Sequence, residues 1–240
     1  MKRIRSFIAK LICLTLVFVL LAWTFLFGSS VRERRQAEAL LAAFQSMKTG
    51  STTLNEVQPI LAAYSVSNLA GPSCGGHPAS KGYSISLADK KLFALETRLP
   101  FLRFLGLSPW GAGADLFFNE GKLCHLRFSV GTEITILDHT RGVVNMAAEE
   151  STPGREMLIS SGGPPVNRIL VVTLPGNPTP AQHSHAFAFH LSCLTQLGGC
   201  RDICQLLPLK PIWEDRVSYE PTQNIVIPQA VLENSYCGSK

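Results

Sequence analysis

The densest group of side chains able to do chemistry lies between residues 183 and 204: His183-Ser-His185, His190, Cys193, Cys200 and Cys204. Imidazole nitrogens and thiolates at short spacing are donors that zinc and copper favour. Whether they converge depends on the element that carries them. His185-Ala-Phe-Ala-Phe-His-Leu191 alternates with a period of two, which predicts a strand over 183–191. On such a strand His183 and His185 share a face with Phe187, Phe189 and Leu191, and His190 points the other way. A metal site from His183, His185, His190 and Cys193 then requires the strand to bend. Cys193 and Cys200 bracket Leu-Thr-Gln-Leu-Gly-Gly, a short loop suited to a disulfide. The expectation is a bridge between Cys193 and Cys200, with no metal, cofactor or catalytic residue assigned.

Other reactive groups are more isolated. Cys74-Gly-Gly-His77 sets a nucleophile near a base, but neighbours in sequence need not meet in space, and a loop cysteine in an exported chain is more often bridged. The acidic candidates Asp89, Glu96, Asp115, Glu120, Glu133 and Asp138 stand singly, and no two suggest an acid and base pair. The sequence has no Gly-x-Ser-x-Gly elbow, phosphate-cradling lysine loop or dinucleotide glycine fingerprint.

The elements that must position these groups begin with an uncharged run, Leu11–Phe27, of 17 residues. As a helix it rises about 26 Å, near the lower limit for a bilayer core of roughly 30 Å. Phe7, Ile8 and Ala9 extend it if the Lys10 ammonium snorkels to the surface. Trp23, Phe25, Leu26 and Phe27 fill the end where a cleaved signal needs small residues, leaving only Gly28-Ser29-Ser30 as a cleavage site. An uncleaved anchor is the expected outcome. Lys2, Arg3, Arg5 and Lys10 before the run outnumber Arg32, Arg34 and Arg35 after it, favouring an inside N-terminus and an extracytoplasmic domain. Residues 1–35 hold 7 of the 22 Lys+Arg and 1 of the 17 Asp+Glu, leaving 15 basic and 16 acidic residues beyond them. The formal charge of +5 therefore belongs to the membrane flanks. A near-neutral domain lacks the electrostatic footprint of a nucleic-acid binder. Apart from Cys13 in the run, six cysteines remain, an even number that suits an oxidising compartment.

Ala37, Leu40, Leu41, Phe44 and Met47 continue a helical stripe toward Gly50, so the anchor is expected to run on as a stalk. Thr53-Leu-Asn-Glu56 has the capping-box form and opens a second helix carrying Val57, Ile60, Leu61 and Tyr64, with Pro59 in conflict. Residues 65–82 and 151–165 read as Gly/Pro/Ser-rich breaks, and 92–110 as a core helix plus loop whose aromatic and arginine content also fits a headgroup region. Strands are expected on both sides of Asn119-Glu-Gly-Lys122, at 132–137 and at 168–174. A short helix near 202–207 then leads to a proline-punctuated tail. Together these predict an α+β fold: a transmembrane helix continuing as a stalk (1–48), then an extracytoplasmic domain (49–240) with a second helix and a mostly antiparallel sheet.

The stretch Met47-Lys-Thr-Gly-Ser-Thr-Thr-Leu-Asn-Glu-Val57 resembles the opening of small extracytoplasmic domains of the BamE/SmpA-like family. The likeness covers about a dozen residues; this chain lacks that family's lipid-bearing cysteine, has Pro59 and is much longer. It implies helices packed on an antiparallel sheet and a role in assembly or interaction, and it carries no site residues across. The functional expectation is a single-pass membrane protein with a non-catalytic interaction domain, its partners the lipid bilayer and a protein of unknown identity. The alternative is a membrane-tethered metal-binding or redox protein using the 183–204 cluster.

Overall fold

The computed structural model describes residues 2–70, 73–74, 77–88, 92, 94–95, 98, 109–135, 141–152, 158–162, 167–196, 199–200 and 202–219. Its first element, α1 (Lys2–Ser46), is a single helix of 45 residues with two unlike environments. Its first half presents large apolar side chains outward: Leu14 is 69% exposed, Phe18 72% and Phe25 64%. Lys10–Ser46 contains a window long and apolar enough to cross a membrane. From Ser30 onward the helix enters the folded domain. Ala37, Leu40, Leu41, Phe44 and Met47, expected on one side of a stalk, instead form part of the main hydrophobic core. Gly28-Ser29-Ser30, the only apparent cleavage site, lies inside the uninterrupted helix.

The chain reverses through Gly50 (φ +78°), a left-handed conformation that glycine adopts without strain. Helix α2 (Leu54–Ala63) follows, with the expected capping box between Thr53 and Glu56. Pro59 is accommodated inside it, so the helix starts at Leu54 rather than at the proline. The Thr53 backbone N–H donates to Glu56 Oε2 at 2.7 Å, and this bond holds the exposed Glu56 carboxyl below its usual pKa.

Strands β1 (Val66–Asn68), β2 (Ser73–Cys74) and β3 (His77–Pro78) occupy part of the stretch read as a loop, and β4 (Lys81–Ala88) begins at its end. Next come β5 (Trp110–Asn119), β6 (Lys122–Thr135), β7 (Arg141–Ser151), β8 (Leu158–Gly162) and β9 (Asn167–Leu174). The main sheet has seven strands in the order β1-β4-β5-β6-β7-β9-β8, antiparallel except for the parallel pair of β7 and β9. Strand β8 lies within the predicted 151–165 break. It takes the sheet edge, and β9 inserts between it and β7.

The β5–β6 hairpin turns where expected, with Glu120 at φ 50° and Gly121 at φ 78°. Two positive φ values in a two-residue turn match the right-handed twist of the flanking strands. A register shift at Phe117/Phe118 pairs Phe117 with His125 and Phe118 with Leu123, leaving Cys124 as the extra residue. Cys124 forms a disulfide with Cys74, Cα–Cα 5.7 Å, in a small cluster with Phe117 apart from the main core.

One sheet face carries Ile85, Ala114, Leu116, Leu126, Phe128, Val130, Met146 and Val172, all at most 1% exposed. Phe44 of α1 meets Phe128 edge-on at 5.9 Å between ring centroids, and Phe189 meets the same ring at 5.4 Å. After β9 come α3 (Pro180–Ala186), a 3-10 turn (Leu191–Thr195), α4 (Ile203–Leu206) and α5 (Leu209–Tyr219).

Helix α3 corrects the strand predicted over 183–191. Thr179 Oγ1 accepts from the Gln182 backbone N–H at 3.2 Å, and Gln182 Oε1 accepts from the Thr179 N–H at 2.8 Å. Pro180 occupies the first turn, where its missing N–H costs nothing. This capping box outweighs the alternation of alanine and phenylalanine. Helix α5 falls where a proline-punctuated tail was expected, and Pro211 is tolerated because it is the third helical residue. The expectations for 136–137, most of 92–110 and the tail beyond 219 fall outside the described residues.

Candidate functional site

The C-terminal end of α1, the end of β7 and the start of α3 converge on one buried polar cluster. Val144, Met146 and Ala148 face the core along β7, and Glu150 continues their period into the interior at 1% exposure. Its Oε1 accepts two hydrogen bonds from Thr49, from the backbone N–H at 3.0 Å and from the hydroxyl at 2.6 Å. Its Oε2 lies 2.7 Å from His183 Nδ1. Thr49 is 7% exposed and His183 5%. Burial pushes the Glu150 carboxyl pKa up, but the bonds from His183 and Thr49 outweigh it and hold the group below its usual value.

The loop that supplies Thr49 is itself secured by the β5–β6 hairpin. Gly50 N–H donates to Leu123 O at 2.7 Å, Leu123 N–H to Thr52 O at 2.8 Å and Leu54 N–H to Gly121 O at 2.9 Å. On the other side, Gln45 Nε2 donates to Phe187 O at 2.9 Å, tying α1 to the segment after α3. A cavity of about 500 Å³ opens here, lined among others by Gln45, Lys48, Ser51, Asn177, His183 and Ser184. Its size is that of an ordinary small-ligand cleft.

A histidine whose Nδ1 is held by a carboxylate has one ring nitrogen left for work, as in a general base. Here His183 Nε2 is buried and has no hydrogen-bond partner among the described residues. Among the described residues no hydroxyl or thiol is hydrogen-bonded to it. The ring packs on Phe187, centroids 4.8 Å apart. Through one carboxylate the cluster ties three elements together.

No family model, curated protein or solved structure matches the chain.

The predicted metal candidates are not brought together. His183 and His185 lie two positions apart on a helix, so their side chains diverge instead of sharing a strand face. His183 engages Glu150, whereas His185 Nδ1 lies 2.7 Å from Asp215 Oδ2 on α5. His190 is exposed, and its backbone N–H donates to Leu206 O at 2.7 Å. Cys193 is joined to Cys200, Cα–Cα 4.7 Å, so its sulfur is committed. Among the described residues no group of three or more His, Cys, Asp or Glu has the geometry of a metal site.

Cys74 is oxidised to a disulfide and offers no nucleophile. Cys204 is likewise disulfide-bonded, and Cys13 is the free cysteine among the described residues. Of the acidic candidates, Asp115 accepts a 2.7 Å bond from Ser84, while Asp89, Glu96 and Asp138 lie outside the described residues. Glu150, Thr49 and Asp215 were not singled out from the sequence. Glu150 carried no readable signal, since Val143-Val144, Ala147-Ala148 and Glu149-Glu150 place like residues on both faces of the strand.

Proposed function

We propose that this chain is a single-pass membrane protein, N-terminus inside, that displays an extracytoplasmic α+β domain as a non-catalytic interaction module. The observation that carries the reading is the two-part character of α1: an outward apolar half and a half buried in the domain core. A soluble helix with Phe7, Leu14, Phe18 and Phe25 each more than 60% exposed leaves a large apolar surface in water, which lipid removes. The disulfides Cys74–Cys124 and Cys193–Cys200, with Cys204 also bonded, support an oxidising compartment for the domain. The cavity beside Lys48, Asn177 and Ser184 is the concave surface offered to a partner, and Thr49 and His183 hold its walls.

The experiment is protease added to intact spheroplasts, with alkaline extraction of the membranes. Expected are cleavage of the domain without lysis and retention of the chain in the membrane pellet. A domain protected until lysis, or a chain released by alkali, overturns the reading.

The metal or redox alternative gains no support from the placement of its residues: His183 and His185 turn to different carboxylates, Cys193 and Cys200 are bonded to each other, and His190 stands apart on the surface.

A further inference from the structure

Leu92 is 1% exposed and lies in a hydrophobic cluster of its own, separate from the domain core. Its partners are Trp23, Leu26 and Phe27 of α1, together with Leu95. Trp23 and Phe27 stack with ring centroids 5.2 Å apart, forming the platform on which this cluster rests. At the far end of the same chain segment, Trp110 Nε1 donates to Ser30 Oγ of α1 at 2.9 Å. Both ends of 92–110 are thus fixed to a short stretch of the membrane helix.

The length of the apolar run sets the depth of that stretch. From Phe7 to Phe27 is 21 residues. At about 1.5 Å per residue they span roughly 31 Å, about the thickness of a bilayer core with nothing to spare. Trp23 to Phe27 must then lie within the lipid slab or at its boundary. Phe25, between the residues that hold Leu92, remains 64% exposed at the same height on the helix. Lipid that covers Phe25 also reaches Leu92 and its neighbours.

The sequence around Leu92 suits that depth. Lys90, Lys91 and Arg98 flank it, and Phe93, Phe101 and Phe104 follow in the same segment. Basic and aromatic residues together are the composition of interfacial membrane segments.

We propose that Leu92, Ala94 and Leu95 form a second membrane contact, seated in the interfacial layer beside α1, so that the domain rests on the bilayer with no spacer. This rests on α1 spanning the membrane, and the test separates the two. Single cysteines replace Ala94, Phe18 or Glu120 in the full chain carrying Cys13→Ser. Each is labelled with an environment-sensitive fluorophore in vesicles of mixed zwitterionic and anionic lipids. Quenching is read with nitroxides at shallow and central depths of the acyl chains and with aqueous iodide. Arg98→Cys provides a second probe position should A94C fail to fold.

Expected are central quenching at residue 18, shallow quenching at residue 94 or 98 several-fold above that at residue 120, and iodide quenching at residue 120. Lipid quenching at residue 18 with only iodide quenching at residues 94 and 98 overturns the proposal and leaves the anchor standing. Loss of lipid quenching at residue 18 overturns both.

Discussion

Glu150 receives three donors in the interior, two from Thr49 and one from His183, and this explains how a carboxylate is kept there. Removing one side of a buried, hydrogen-bonded pair strands the other. Glu150→Ala is therefore expected to lower stability by roughly 1–3 kcal/mol, read as the urea midpoint of the full chain in detergent. The same group sets part of the acid limb. Its folded pKa lies below its ordinary 4.5, so its stabilisation is complete above that value. The contribution is lost as the pH falls through the depressed folded value. Midpoints measured from neutral pH down to about pH 3 should fall for the natural chain, with the Glu150→Gln variant lacking that part of the slope. An unchanged slope in the variant removes Glu150 from the acid response. The doublets Val143-Val144, Ala147-Ala148 and Glu149-Glu150 hide the inward phase of β7, so Glu150 was not detectable in the sequence. Nothing local pointed to its partners, which lie 101 and 33 residues away.

Capping decided the elements where two readings competed. Alternating alanine and phenylalanine after His185 suggested a strand, but Thr179, Pro180 and Gln182 satisfy helix α3's first donors before that pattern begins. Thr179→Ala should cost about 1 kcal/mol, as loss of an N-cap typically does, and its effect is measurable as a lowered midpoint. In α1, Gly28 is interior, and a Cβ added there meets nothing within 4 Å. Gly28→Ala should consequently stabilise the chain by about 0.5–1 kcal/mol by removing backbone freedom from the unfolded state. A lowered melting temperature would show that residue 28 needs glycine for another reason. The Asn119–Lys122 hairpin and the Thr53 capping box were legible because each is encoded within four residues. Helix α5 was hidden by Pro211, whose meaning depends on its place in the helix.

At the scale of the molecule, the disulfides Cys74–Cys124 and Cys193–Cys200 tie the periphery to the fold, and they close very different lengths of chain. Cys74 and Cys124 are 50 residues apart, Cys193 and Cys200 only 7. The loop-entropy relation gives about 4 kcal/mol for the first bridge and about 2.5 kcal/mol for the second. Paired cysteine-to-serine variants should rank in that order by urea midpoint, and the reverse order excludes loop entropy as the controlling contribution.

An α+β composition, a long apolar N-terminal helix and a mostly antiparallel sheet were determined by the sequence alone, because periodicity, turn residues and uncharged length act over a few turns of chain. Tertiary structure alone decided that the end of α1 belongs to the core. An amphipathic stripe looks the same whether it faces a neighbouring helix, lipid or a sheet; only the presence of Phe128 and its neighbours across the interface assigns it. The same holds for the placing of β9 between β7 and β8 and for the meeting of Thr49, Glu150 and His183. Each joins residues distant in sequence, and their energies exist only after the chain has closed the loops between them.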